Sequence, residues 1–190
     1  MTTYEISSAI LDELNGILAC VPEQEVQQLK EAIVAANRVF VAGAGRSLLM
    51  MKCFAMRLMQ TNFNSYVVGE TTTPAIEPGD LLVIASGSGE TGTLKVVAAG
   101  AKKAGAKIAL ITTNPASSVG QLSDYIVTVP ASTPKSENNE GKKATIQPGA
   151  SAFEQCVLIL GDTLVISLTS AGGDLKDKNA GLMKMHANLE

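Results

Sequence analysis

The sequence predicts an α/β fold, a parallel sheet between two layers of helices, and three observations carry that prediction. Short β-rich apolar runs alternate with helical stretches along most of the chain. Two of those runs end in glycine turns that open directly into helices, at Gly43-Ala44-Gly45-Arg46-Ser47 and at Ser86-Gly87-Ser88-Gly89-Glu90-Thr91. Hydrophobic residues make up 46% of the 190, with 4% aromatic and no Trp, so a sizeable core must be built from Ala, Val, Ile, Leu and Met. Strands of this kind are covered on both faces and joined by right-handed crossovers.

Taken in order, Ile6, Ile10, Leu14, Ile17 and Leu18 recur at helical spacing. Pro22 restarts the chain, and Glu23 and Glu25 suit the first turn of a second helix carrying Val26, Leu29, Ile33 and Val34. These two helices fill residues 1–36, and their apolar stripes need a partner in the sheet or in another subunit. Val39-Phe40-Val41-Ala42 is the first strand. A helix over 48–60 follows, apolar nearly all round and so predicted to be buried on most faces, with methionines filling core gaps. Ser65-Tyr66-Val67-Val68 is the second strand, 81–85 the third, 108–111 the fourth and 125–129 the fifth, with helices predicted over 93–103 and 117–122. A polar stretch, 130–148, is long enough to be functional or mobile. Residues 151–169 form a long apolar helix containing Glu154 and Asp162, ended by Gly172-Gly173. A tail, 174–190, holds the single histidine, His186. One domain spans 1–190.

Composition excludes several functions. Fifteen basic residues against eighteen acidic give a net charge of −3 with no basic patch, so a nucleic-acid partner is not expected. Cys20, Cys53 and Cys156 are scattered and odd in number, which fits neither a disulfide framework nor a metal cluster and suggests a reducing cytoplasm. The N-terminus lacks a basic region followed by an apolar block, so no signal peptide is expected. The apolar run from 156 to 168 is too short, and too interrupted by Gly161 and Asp162, for a membrane span.

The two glycine turns are the candidate site. In open α/β sheets, ligands bind beyond the carboxyl ends of strands where strand order reverses. A flavodoxin-like order places strands one and three side by side there, so both turns would face one crevice. Gly45, Gly87 and Gly89 let the backbone approach a ligand, and helix N-termini with the hydroxyls of Ser47, Ser86, Ser88 and Thr91 would hold an anion, most simply a phosphate. The same residues also suit a plain βα connection with a Ser/Thr cap. Arg46 would bind phosphate or pair with a carboxylate. The first turn lacks the third glycine and later acid of a dinucleotide fingerprint, so NAD is not expected. A small phosphorylated metabolite fits better. Glu154 near a helix start is either a base whose pKa burial would raise or a charge favoured by the helix dipole. His186 is either a proton-transfer group or an ordinary exposed residue.

Those turns, together with Phe54-Ala55-Met56-Arg57-Leu58-Met59, Val67-Val68-Gly69-Glu70, Thr145-Ile146-Gln147-Pro148, Phe153-Glu154-Gln155 and the terminal His186-Ala187-Asn188-Leu189-Glu190, resemble the 6-phospho-3-hexuloisomerases of the sugar isomerase (SIS) domain group. The resemblance covers nearly the whole chain. It implies a five-stranded parallel sheet in a homotetramer that interconverts D-arabino-hex-3-ulose 6-phosphate and D-fructose 6-phosphate through an enediol, without a cofactor or metal. That reaction is the second step of the ribulose monophosphate route of formaldehyde fixation. It further implies phosphate binding by Ser47, Ser86, Ser88 and Thr91 with Arg46 nearby, Glu154 as base, and His186 as its partner, in its own or a neighbouring subunit's site. Glu70 is the reserve candidate. Leu48, Gly149-Ala150 and Met185 stand where the family usually has Gly, Met-Gly and a polar or basic residue. Two alternatives share the phosphate loop: a non-catalytic phosphosugar-sensing module, and another phosphosugar aldose–ketose isomerase.

Overall fold

A computed structural model describes residues 1–132, 145–169 and 183–189. Five strands form one parallel sheet: β1 (Val39–Gly43), β2 (Ser65–Val67), β3 (Leu81–Ala85), β4 (Lys107–Thr112) and β5 (Tyr125–Thr128). Their order is β2-β1-β3-β4-β5, the flavodoxin-like arrangement expected, with the reversal between β1 and β3. The helices are α1 (Thr3–Leu18), α2 (Glu23–Ala35), α3 (Arg46–Gln60), α4 (Gly92–Lys103) and α5 (Ser151–Thr169).

Side chains alternate across the sheet, and the alternation divides the core in two. Val39, Val41, Leu81, Val83 and Ala85 face the layer made by α1, α2, α3 and α5. Phe40, Ala42, Leu82, Ile84, Ile108 and Leu110 face α4. Both faces of β3 are fully buried, which is why its sequence reads as an unbroken apolar run. The helix over 151–169 stands as expected. It is apolar and long enough to cross a membrane, yet it packs as a core helix against α1, α2 and α3. The helix starts carry their own signals. Thr2 and Glu5 close a capping box on α1, each side chain accepting the other's backbone N–H.

Three expectations change. The stretch 117–122 is a 3-10 turn, Gly120–Leu122, rather than a helix. Ser118 N donates to the Glu90 carboxylate and Val119 N to Gly89 O, while Leu122 N and Ser123 N reach back only three residues, to Val119 O and Gly120 O, which is the 3-10 pattern. Second, α3 begins at Arg46, ahead of 48, and is not buried on most faces. Met51, Phe54, Ala55 and Leu58 pack inward, while Leu49, Met56 and Met59 form an exposed apolar stripe. Third, β2 stops at Val67 and β5 at Thr128, each one residue short. The expected helix stop at Gly172-Gly173, residues 133–144 of the polar stretch 130–148, and residues 174–182 and 190 of the tail lie outside the described residues.

At the far edge of the sheet, the Glu25 carboxylate of α2 accepts the Thr128 backbone N–H of β5 at 2.6 Å and its hydroxyl at 3.4 Å. At the opposite edge, β2 is only three residues long.

Candidate active site

β1 and β3 pair in register, Gly43 opposite Ala85, so the two strands end level. The turns that follow them therefore emerge side by side. Between them lies a cavity of about 250 Å³. Ala44 and Ser47 form one wall, Ser86, Gly87, Ser88 and Thr91 the second, and Gly149, Ala150 and Phe153 at the start of α5 the third. The expected meeting of the two glycine turns is thus observed. The third wall was not foreseen. It is contributed by the start of α5 and the Gly149-Ala150 pair just ahead of it.

The first turn is tight. A Cβ on Gly43 would lie 2.8 Å from Leu48 N, so strand and helix approach too closely for a side chain. Gly45 follows at φ +56° as the cap of α3, and Ser47 is buried at the cavity wall. In the second turn, Ser86 Oγ accepts Gly89 N at 3.1 Å and Ser88 Oγ accepts Glu90 N at 3.2 Å. Both hydroxyls accept from the backbone, so their protons are left to point at an acceptor in the cavity. Gly89 lies at φ +65°, and a Cβ there would overlap the Ser117 hydroxyl. Thr91 precedes α4 without spending its side chain on a cap. The arrangement offers donors from two helix starts and several hydroxyls to one small volume, which suits an anion.

Glu90 anchors this loop from behind. Its carboxylate accepts Ser118 N at 2.6 Å and Ser118 Oγ at 2.8 Å and pairs with Lys95 at 3.2 Å. The Ser118 backbone N–H, then its hydroxyl and Lys95, hold Glu90 below its ordinary value of 4.5. A carboxylate depressed in the folded state stabilises fully above its unfolded value and loses that contribution as pH falls through its folded value. Parallel thermal melts of wild type and Glu90→Gln should therefore differ at pH 7. The difference should close as pH drops from about 4.5 toward the depressed folded value.

Glu154 and Arg46 meet at the rim. Arg46 Nε donates to Glu154 Oε2 at 2.5 Å, joining residues 108 apart in sequence. The Glu154 side chain is 12% exposed and that of Arg46 57%. The carboxylate is therefore an ion pair rather than a lone buried acid, and Arg46 takes the carboxylate-paired option that the sequence left open. Neither side chain lines the cavity itself, although Phe153 and Ala150 beside Glu154 do. Glu70 sits elsewhere: it pairs with Lys52 at 3.0 Å and lines a separate cavity of about 400 Å³ against α3 and β2. His186 lies on the exposed 183–189 segment with Nδ1 3.0 Å from Ala187 O, and it is not among the lining residues of either cavity. Burial pushes the Cys156 thiol up to about 12, so it is not a nucleophile at neutral pH.

Residues 32–151 match the SIS domain family. Across its full length the chain is 44% identical to the 3-hexulose-6-phosphate isomerase of Bacillus subtilis (strain 168), covering all of both proteins. It is 42% identical to the 3-hexulose-6-phosphate isomerase of Mycobacterium gastri, covering 96% of this chain and 89% of that protein. Among solved structures, a protein from Methanococcus jannaschii, for which the function of 3-hexulose-6-phosphate isomerase was inferred, superposes with a TM-score of 0.79. That match has 30% identity and covers 98% of this chain and 99% of the other.

Proposed function

Because the chain belongs to the SIS-domain family, and within it to the 3-hexulose-6-phosphate isomerases, we propose that the cavity over β1 and β3 is its active site. The protein is an isomerase that interconverts D-arabino-hex-3-ulose 6-phosphate and D-fructose 6-phosphate. The observation that supports this placement most is the meeting of Ser47, Ser86, Ser88 and Thr91 around one small volume at the level ends of two adjacent strands. In our reading, these hydroxyls and the first N–H groups of α3 and α4 hold the phosphate. The sugar then extends toward the α5 wall and the Arg46–Glu154 pair.

The chemistry moves a carbonyl from carbon 3 to carbon 2. Glu154 takes the proton from carbon 2, electrons flow into a 2,3-enediolate, and a proton returns to carbon 3. Arg46 orients Glu154 for this step through the Nε–Oε2 bond, and its guanidinium charge would stabilise the developing negative charge on oxygen. His186 carries the hydroxyl proton, from its own or a neighbouring subunit. The assembly is a homotetramer in the cytoplasm, and the exposed Leu49, Met56 and Met59 stripe of α3 is a face suited to subunit contact. The same reading places the reaction in formaldehyde fixation by the ribulose monophosphate route.

Proton NMR of fructose 6-phosphate in D₂O with the purified protein tests this reading. Deuterium should enter carbon 3 as a 3-ketose appears. Exchange at carbon 1 would instead identify an aldose–ketose isomerase. No exchange, with thermal stabilisation by the sugar phosphate, would leave a binding module.

A further inference from the structure

The backbone carbonyls of the second turn are all engaged, three of them by the segment 112–119 behind it. Gly87 O accepts three donors from the end of β4: Thr113 Oγ1 at 2.8 Å, Thr112 Oγ1 at 3.0 Å and Thr113 N at 3.0 Å. A backbone carbonyl offers two lone pairs, so this oxygen is saturated. Its neighbours are engaged as well. Ser86 O accepts Gly89 N at 3.2 Å, Ser88 O accepts Asn114 Nδ2 at 3.4 Å, and Gly89 O accepts Val119 N at 3.2 Å. Thr112 and Thr113 are buried, and neither lines the cavity.

A phosphate is attracted by N–H and O–H groups and repelled by carbonyl oxygens. A glycine-containing turn free to rotate its peptides would present both. Tying the Gly87, Ser88 and Gly89 carbonyls to residues 112–119 keeps them from turning toward the anion, so the turn need not reorganise when it arrives. Groups behind a binding shell fix its orientation, as the outer partners of metal ligands do. We propose that Thr113, assisted by Thr112, is a positioning residue that fixes the donor face of the phosphate loop. The proposal rests on the phosphate-site reading above.

The test compares wild type with Thr113→Val, Thr113→Ser and Thr112→Val. Each is titrated with inorganic phosphate, assayed for KM and kcat on fructose 6-phosphate, and melted to measure folding. In Thr113→Val the carbonyl keeps the Thr113 N–H and the Thr112 hydroxyl, so the fold should hold. Loss of one hydroxyl–carbonyl bond should weaken phosphate binding and raise KM by roughly three- to tenfold, with kcat within about twofold of wild type. Thr113→Ser, which restores the hydroxyl, should restore both values. Thr112→Val should act in the same direction and carries the test if Thr113→Val does not fold. Unchanged phosphate affinity in a variant that merely melts earlier would overturn the proposal. So would a fall in kcat at constant KM, or a serine variant that behaves like the valine one. Absence of phosphate binding by wild type would instead remove the site reading itself, and the proposal with it.

Discussion

Glu154→Gln should lower turnover by about 10²–10⁴-fold while leaving inorganic phosphate binding nearly as in wild type. The side chain keeps its size, and its amide oxygen can still accept from Arg46 Nε, so the α3–α5 contact survives. What is lost is the capacity to take a proton from carbon. The four phosphate-loop hydroxyls do not depend on the carboxylate, since Ser47, Ser86, Ser88 and Thr91 belong to other elements. The measurement is deuterium exchange at carbon 3 in D₂O alongside a phosphate titration. Exchange at the wild-type rate would leave the Arg46–Glu154 pair as a structural clamp and move the search for the base to His186. Loss of phosphate binding together with exchange would show that the pair shapes the loop rather than serving the chemistry.

Gly89→Ala should act in the opposite way, through the loop rather than the base. The residue sits at φ +65°, where a side chain costs about 1–3 kcal/mol. A Cβ there would also overlap the Ser117 hydroxyl and Cβ. The turn would have to open, pulling Gly89 N from Ser86 Oγ and Gly89 O from Val119 N. Phosphate affinity should fall by at least about tenfold, the equivalent of 1.4 kcal/mol, and melting temperature should fall with it. Adding Ser117→Gly removes the overlapping atoms but not the backbone strain. The double variant should therefore recover part of the binding and no more, a coupling that a thermodynamic cycle would read directly. Full retention of affinity in Gly89→Ala would mean that the loop geometry is not what holds the anion.

Much of this was legible because βα turn chemistry is local. A glycine turn between an apolar strand and a helix start is written in half a dozen consecutive residues, as both turns here are. Their convergence also followed, since the strand order that joins β1 to β3 is a topological rule and not a side-chain detail. The missed features depend on contacts between distant segments. The turn at 117–122 has a helix-compatible sequence, but the N–H groups of Ser118 and Val119 answer to Glu90 and Gly89, 28 and 30 residues away. Arg46 and Glu154 each looked like a site residue alone, and nothing local says that they pair across 108 residues. Leu49, Met56 and Met59 are as apolar as the inward residues of α3, so composition could not tell which side faces solvent. Gly149, Ala150 and Phe153 became a cavity wall only through the packing of α5 on α3.

The two margins of the sheet have a consequence for how copies of this chain can associate. An open strand edge is a template for another chain's backbone, and proteins guard against that with short or charged edge strands. Here Glu25 occupies the Thr128 N–H that an incoming strand would need, and β2 offers only three residues at the other side. Growth of the sheet by strand addition is thus disfavoured at both ends. Both features favour association through helical faces, which would leave the sheet five strands wide in each subunit.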